Sequence, residues 1–282
     1  MTYDDLQCFR TALNEGVLNV AINSPPMNLL GLQLLLDLDQ LGQRVESDDN
    51  VKVIVFSSDD PDFFVAHGDV ESMVGLEGAP PARGDALGFV HSVLARFSSM
   101  QKVSIAQIAG AARGGGSELA MAMDMRFGAL EKAVFGQPEA AMGIIPGAGG
   151  TQRLPALIGA PRALEMILGC DDIDAVQAER YGYLNRAMPE KELANFVTHL
   201  AQRIAALPWE TIAAAKQAVV GSKPADSVQG MIEEEYRCNQ LLYGQEAQSR
   251  MQAFLALGGQ QREAERNFGA LVDRLIESPP QT

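Results

Sequence analysis

Three consecutive glycines, Gly114 to Gly116, stand just ahead of an apolar run, Leu119 to Met123, in the stretch RGGGSELAMAMD. Glycine weakens regular structure and is favoured where backbone must approach another group closely or take a positive φ. The preceding segment, VSIAQIAG at 103–110, is rich in β-branched residues, so the region reads as strand, tight turn and helix start. Backbone N–H groups around Gly115 and Gly116 then point outward with the positive end of a helix behind them, which suits a partial negative charge. The plainer alternative is a turn that needs glycine only for close packing.

One carboxylate, Glu118, lies in the first turn of this helix. An acid is favoured there by the helix dipole alone. Its helical neighbours at i+4 and i+7 are Ala122 and Met125, however, and the run is apolar on every side, so the helix is expected to be buried. Burial disfavours the charged form and moves a carboxyl toward a pKa useful for proton transfer. A second acid, Glu139, is the only charged side chain in AVFGQPEAAMGIIPGAGGTQ, residues 133–152. Two such acids with N–H donors nearby suit an acid and base pair working across one substrate. A nucleotide reading of the glycines fails on spacing: a dinucleotide fingerprint starting at Gly147 needs glycine where Gln152 stands, and no GxxxxGK[ST] occurs.

GVLNVAI at 16–22 and VKVIVFS at 51–57 read as further strands, while 27–47 and 85–100 carry apolar residues at helical spacing. This alternation predicts an α/β core. The Gly- and Pro-rich stretch 75–85 reads as an exposed loop, either a plain surface connection or a mobile lid. From Pro189 onward the pattern is helical with no strand, and the apolar stripes of that tail need a surface to cover, in this chain or in another subunit. At 282 residues and 47% hydrophobic, the chain can bury a large core. Cys8, Cys170 and Cys238 have neither disulfide nor metal-ligand spacing and predict reduced thiols. With no signal-peptide pattern and no apolar run of bilayer length, the expectation is a soluble cytoplasmic protein. A net charge of −14 gives the surface no general attraction for nucleic acid or anionic lipid.

The blocks IAGAARGGGSELAMAMDMRFG, EKAVFGQPEAAMGIIPGAGGTQRLP and FFVAHGDV resemble the three active-site stretches of the crotonase superfamily, the enoyl-CoA hydratases and isomerases. The resemblance implies an α/β crotonase (ClpP-like) spiral of repeated ββα units over residues 1–188. It implies a helical C-terminal segment, 189–282, that packs subunits into homotrimers or homohexamers. The substrate would be an acyl-CoA thioester, with no metal or redox cofactor and with coenzyme A entering only as part of the substrate. Its carbonyl oxygen would sit between the amides of Gly68 and Gly115, with Ala66, Asp69, Val70 and Gly114 as further substrate-binding positions. Hydratases of the family carry both glutamates, and here they fall at Glu118 and Glu139. Glu118 would deprotonate a water adding to C3 of a trans-2-enoyl-CoA, and Glu139 would protonate C2. Isomerases, hydrolases and hydratase-lyases of the superfamily are the alternative, using one glutamate alone. A non-enzymatic or RNA-binding role is disfavoured by the charge of −14 and the retention of both acids.

Departures from the family pattern are as specific as the matches. His67 replaces the usual glycine before the oxyanion residue, either as a third proton carrier or as a packed or solvent-facing ring. Glu71 replaces a lysine that lies where the CoA chain passes, and NSPPMNLL at 23–30 changes the adenine-side loop. The C-terminal stretch FLALGGQQREAERNF is longer and less basic than the family's ending, with Arg262 and Arg266 as substitute cations. Lys102, Lys132 and Arg153 are other cations in the core blocks, with solvated surface charges as the simpler reading.

Overall fold

A computed structural model describes residues 2–220 and 227–277. Residues 221–226 and 278–282 of the expected helical segment therefore lie outside the described residues. The chain opens with a hairpin, β1 (Phe9–Asn14) and β2 (Val17–Ile22). Its two-residue turn, Glu15 and Gly16, has φ of 48° and 83°. Two positive φ values give the turn whose twist matches the paired strands. The expected strand at 16–22 is thus β2, and β1 was hidden because FRTALN alternates weakly, with only Phe9 buried.

From there the chain repeats one unit: a strand in one sheet, a strand in a second sheet, then a helix. β3 (Val53–Ser58), β5 (Val103–Ile108) and β7 (Met125–Ala129) continue the first sheet in parallel, and β10 (Arg186–Met188) closes it. Its order is β1-β2-β3-β5-β7-β10. Alternate members β4 (Phe63–Val65), β6 (Ala111–Arg113) and β8 (Val134–Gly136) form the second sheet with β9 (Ile173–Asp174), in the order β4-β6-β8-β9. Consecutive pairs step along both sheets together, which is the expected α/β spiral.

Side chains of the first sheet obey the two-residue period of strands. Ile54 and Phe56 enter the main core, where α1 (Leu32–Ser47) and α2 (Phe89–Ser99) supply Leu34, Leu38, Leu41, Val93 and Phe97. Val53 and Val55 face the other way, onto Leu193, Val197 and Ala201 of α7 (Glu190–Ala205). Helix α1 begins five residues later than the leucine spacing of 27–47 predicts. Leu30 is drawn into a bridge with Gly68, donating its N–H to the His67 carbonyl at 2.8 Å, and Asn28 sits at φ 55°. Helix α2 starts at Phe89 rather than 85. The Gly/Pro-rich stretch ahead of it is a surface connection tied to the tail by Arg83–Glu233 and by the Gly88 amide on Glu235.

The short α3 (Gly115–Met121) is wholly buried, as its apolar run requires. Helices α4 (Gly150–Ile158), α5 (Ala160–Gly169) and α6 (Ala175–Tyr181) follow β8. After Met188 all described elements are helices: α7, α8 (Trp209–Val220), α9 (Val228–Leu242), α10 (Gln245–Ala256), α11 (Arg262–Glu265) and α12 (Phe268–Glu277). Met251, Phe254, Phe268 and Leu271 of this tail pack on Val70, Ala141, Met142 and Ile144. Among the described residues no helix is long and apolar enough to cross a membrane, and the three cysteines are free thiols.

The tightest backbone approach lies where α3 meets β4. A Cβ on Gly116 would fall 2.1 Å from the Val65 carbonyl oxygen. Neither partner there is a flexible side chain, so Gly116→Ala is expected to cost about 3 kcal/mol or more. Gly169→Ala, where nothing lies within 4 Å, serves as control. Urea denaturation of both variants tests this: equal midpoints would show that the β4–α3 contact is not a constraint.

Candidate active site

The three glycines meet three different neighbours. Gly116 lies on the Val65 carbonyl; a Cβ on Gly115 would fall 2.8 Å from a Leu30 methyl and 3.5 Å from the Gly68 nitrogen. Gly114, at φ 48°, faces Glu139, whose Oε1 would lie 2.7 Å from an added Cβ. The Gly115 amide is the first of α3, where no preceding helical turn takes its hydrogen. The Gly68 amide has no protein acceptor among the described residues, although its neighbours His67 and Asp69 are both bonded to Leu30. These two amides border one cavity of about 240 Å³, which is also lined by Val70, Gly114, Glu118, Glu139 and His91. Ala66 and Asp69 are outside that lining: Ala66 is buried with Met27, Phe63 and Ala111, and the Asp69 carboxylate accepts from Gln260 at 2.9 Å.

Glu118 is held by backbone. The Ala148 and Gly150 amides both donate to its Oε1 at 2.8 Å, while Oε2 takes no protein hydrogen bond among the described residues and is left to the cavity. Burial, then the charge of Glu234, pushes its carboxyl up to about 7, against the pull of the two amides. Glu139 stands on the 3-10 turn Pro138–Met142. Burial, then the charge of Glu118, raises it well above the usual carboxyl range. With the Gln137 amide nitrogen turned toward Glu139, it lies 3.0 Å from Oε2, and the Gln137 oxygen accepts from Ser117 Oγ at 3.2 Å. Ser117 in turn shares a hydrogen with Tyr183 at 2.8 Å. The site therefore holds two carboxyl groups in one apolar space, where ionisation of one favours protonation of the other.

A third carboxylate is buried beside them without standing alone in the sequence. Glu234 of α9 is 2% exposed and accepts from the amides of Gly149 at 2.5 Å and Thr151 at 2.7 Å, from the Thr151 hydroxyl, and from His91 Nε2 at 3.0 Å. Successive amides along 148–151 thus point alternately at Glu118 and Glu234. The run EEEY around Glu234 looks like a solvated acidic face, and Glu233 does pair outward with Arg83 and Arg237. The available signal was phase: Glu234 lies three residues after Met231 and four before Cys238, on the stripe that turns inward.

Several expected cations are committed elsewhere. Arg262 binds Asp60 and Asp62 and the Pro26 carbonyl, and Arg266 binds Asp62. They tie the tail to the β3–β4 turn. Lys102 is buried, donating to the Asp48 carbonyl at 3.0 Å with its ammonium over Trp209, and Arg153 is buried beside the Ala148 carbonyl. Only Lys132 of these three is exposed, paired with Glu190. His67 is a packed ring, with Nε2 on Glu265 at 2.9 Å. Glu71 is exposed, and its amide donates to Gln260. Among the described residues no group of three His, Cys, Asp or Glu side chains is arranged to hold a metal ion.

Comparisons with known proteins bear on the family and the fold. The family model described as enoyl-CoA hydratase/isomerase matches residues 12–258. A Syntrophomonas wolfei protein named crotonyl-CoA hydratase is 38% identical over 65% of this chain and 70% of its own. A short-chain-enoyl-CoA hydratase of Clostridium acetobutylicum is 34% identical over 71% of this chain and 76% of its own. The crystal structure of a candidate enoyl-CoA hydratase from Streptomyces avermitilis superposes with a TM-score of 0.87 at 36% identity, covering 96% of this chain and 99% of that one.

The environment of Glu118 makes stability depend on pH. A carboxyl whose pKa rises on folding, here from 4.5 to about 7, stabilises the fold fully below the lower value. That contribution is lost as pH rises through the upper one. Glu118→Gln is neutral at every pH and keeps an oxygen for both amides. Between about pH 5 and about pH 8 it is therefore expected to gain roughly 2 kcal/mol on the wild type. Thermal unfolding across that range checks this; a pH-independent difference would refute it.

Proposed function

This chain belongs to the enoyl-CoA hydratase/isomerase family, and we propose that it adds water across the C2=C3 bond of a trans-2-enoyl-CoA thioester, giving a 3-hydroxyacyl-CoA. The observation that carries this reading is the pair of buried carboxyl groups, Glu118 and Glu139, on one cavity that two unclaimed amides also border. The thioester oxygen accepts from Gly68 and Gly115. Donors fixed before reaction favour the enolate over the ground-state carbonyl, because they need no reorganisation as charge develops.

Glu118 acts through Oε2, the oxygen its backbone clamp leaves free. It takes a proton from water as the water oxygen bonds to C3, and the C2=C3 electrons move onto the thioester. Glu139, protonated in its apolar setting, gives a proton to C2 as the enolate collapses. One proton has then passed to Glu118 and one has left Glu139, and exchange with solvent resets the pair. Double-bond migration needs one carboxyl that moves a proton between two carbons. Here both acids are equipped, with separate supports in the 148–150 amides and in Gln137, and this favours hydration.

Of the substrate-binding positions carried over from the family, Val70 and Gly114 line this cavity and belong to the same proposal, and Ala66 and Asp69 belong to it only as contacts outside the cavity. So does a homotrimer or homohexamer packed through 189–282, an arrangement favoured by Leu207, Val228 and Leu241, which remain 47%, 53% and 43% exposed in the single chain.

Loss of the conjugated thioester absorbance of crotonyl-CoA measures the reaction. Glu118→Gln and Glu139→Gln are each expected to lower kcat by roughly 10²–10⁴-fold. Reaction in oxygen-18 water separates the chemistries: solvent oxygen in the product supports hydration, and isomerised product without it supports double-bond migration. Full-rate hydration by either variant would sink the two-carboxylate mechanism.

A further inference from the structure

The residue before Gly68 carries an unused titratable ring. His67 is 2% exposed and borders the cavity, yet both of its ring nitrogens turn to protein oxygens. Nδ1 lies 2.7 Å from the Gly68 carbonyl oxygen, and Nε2 lies 2.9 Å from Glu265 Oε1. A carbonyl oxygen can only accept. Glu265 Oε1 also accepts the Gln260 amide at 2.7 Å, and as an ionised carboxylate it can only accept from the ring. Neutral imidazole has one N–H and would set its other nitrogen against an acceptor; imidazolium satisfies both contacts.

We propose that Glu265 holds His67 as a buried imidazolium, and that this positive charge, one residue before the Gly68 amide, adds to the stabilisation of negative charge on the thioester oxygen. The surroundings fit. Burial opposes ionisation of Glu265, but the His67 contact, the Gln260 amide and Arg113 together hold its carboxyl below the usual range. Arg113 of β6 is bound in turn to Asp172, so the charges alternate as His67, Glu265, Arg113 and Asp172. Asp69, next along the chain, is taken up by Gln260. On the cavity side the facing acid is Glu139: the Cβ position of Gly114 lies 2.7 Å from Glu139 Oε1 and 3.7 Å from His67 Cβ. Phe254 and Phe268 stand 5.7 and 5.9 Å from the ring and exclude solvent, which strengthens the field of a fixed charge. His67 and the tail that supplies Glu265 are thus two halves of one device, with His67 acting as a positioning and charge-bearing residue through Gly68.

The part played in catalysis rests on the hydratase reading; the charge on His67 does not. The full-length protein labelled with nitrogen-15 in its three histidines is examined by NMR without substrate, with His67→Gln and His199→Gln to assign the signals. Both ring nitrogens of His67 are expected to be protonated at neutral pH. An unprotonated ring nitrogen at neutral pH would overturn the imidazolium, whatever the enzyme does. In the crotonyl-CoA assay, Glu265→Gln is expected to lower kcat about tenfold with little change in KM, a smaller effect than removing an oxyanion donor outright. Its rate is expected to fall further as pH rises and the ring loses its proton, and Glu265→Asp is expected to recover part of the rate. A wild-type kcat and pH profile in Glu265→Gln would overturn the contribution to catalysis. Failure of the wild type to hydrate any enoyl-CoA would end the hydratase reading alone, leaving the ring spectrum to decide the charge.

Discussion

The contact of the Gly116 backbone with the Val65 carbonyl governs the architecture of the site. Parallel pairing of β4 with β6 brings successive turns of the spiral side by side, and the missing side chain at Gly116 lets α3 start against the end of β4. That closeness puts the amides of Gly68 and Gly115, which are 47 residues apart in the chain, at the same cavity. It also buries α3 along its whole length, which leaves Glu118 among apolar neighbours. Amide geometry and carboxyl electrostatics therefore share one origin, a backbone approach that only glycine permits.

Three carboxylates, Glu118, Glu139 and Glu234, are buried around this junction, a costly arrangement unless each finds donors. The segment 148–151 answers part of that need by turning alternate amides to Glu118 and Glu234 at the start of α4, where unpaired N–H groups are available. Glu234 is fully engaged by four donors, whereas Glu118 keeps one oxygen unbonded. The two acids differ in hydrogen bonding more than in burial, and the oxygen left unbonded on Glu118 is what suits it to the proposed proton transfer.

How much of this was legible in the sequence follows from length and from pairing distance. β2, β3 and β5, each six residues long, are β-branched enough to show themselves. β4, β6 and β8 have three residues each and cannot display a two-residue period, so the second sheet came only through the family resemblance. Glu118 and Glu139 stood out because nothing charged surrounds them locally. Glu234 was masked by its acidic neighbours, although its place on the inward stripe could have marked it. The ion pairs of Arg262 and Arg266 are invisible in the sequence because their partners, Asp60 and Asp62, are about 200 positions away. No sequence pattern joins His67 to Glu265 in the tail, because the two lie 198 positions apart.

The supports of the site come from the far end of the chain. Glu234 on α9 and Glu265 on α11 reach back to the loop that clamps Glu118 and to the residue beside Gly68. During synthesis the spiral core emerges before Glu234 and Glu265 are available to it. The site is therefore expected to be completed late, when the tail docks, so a chain can hold Glu118, Gly68 and Gly115 and still lack the supports that fix them.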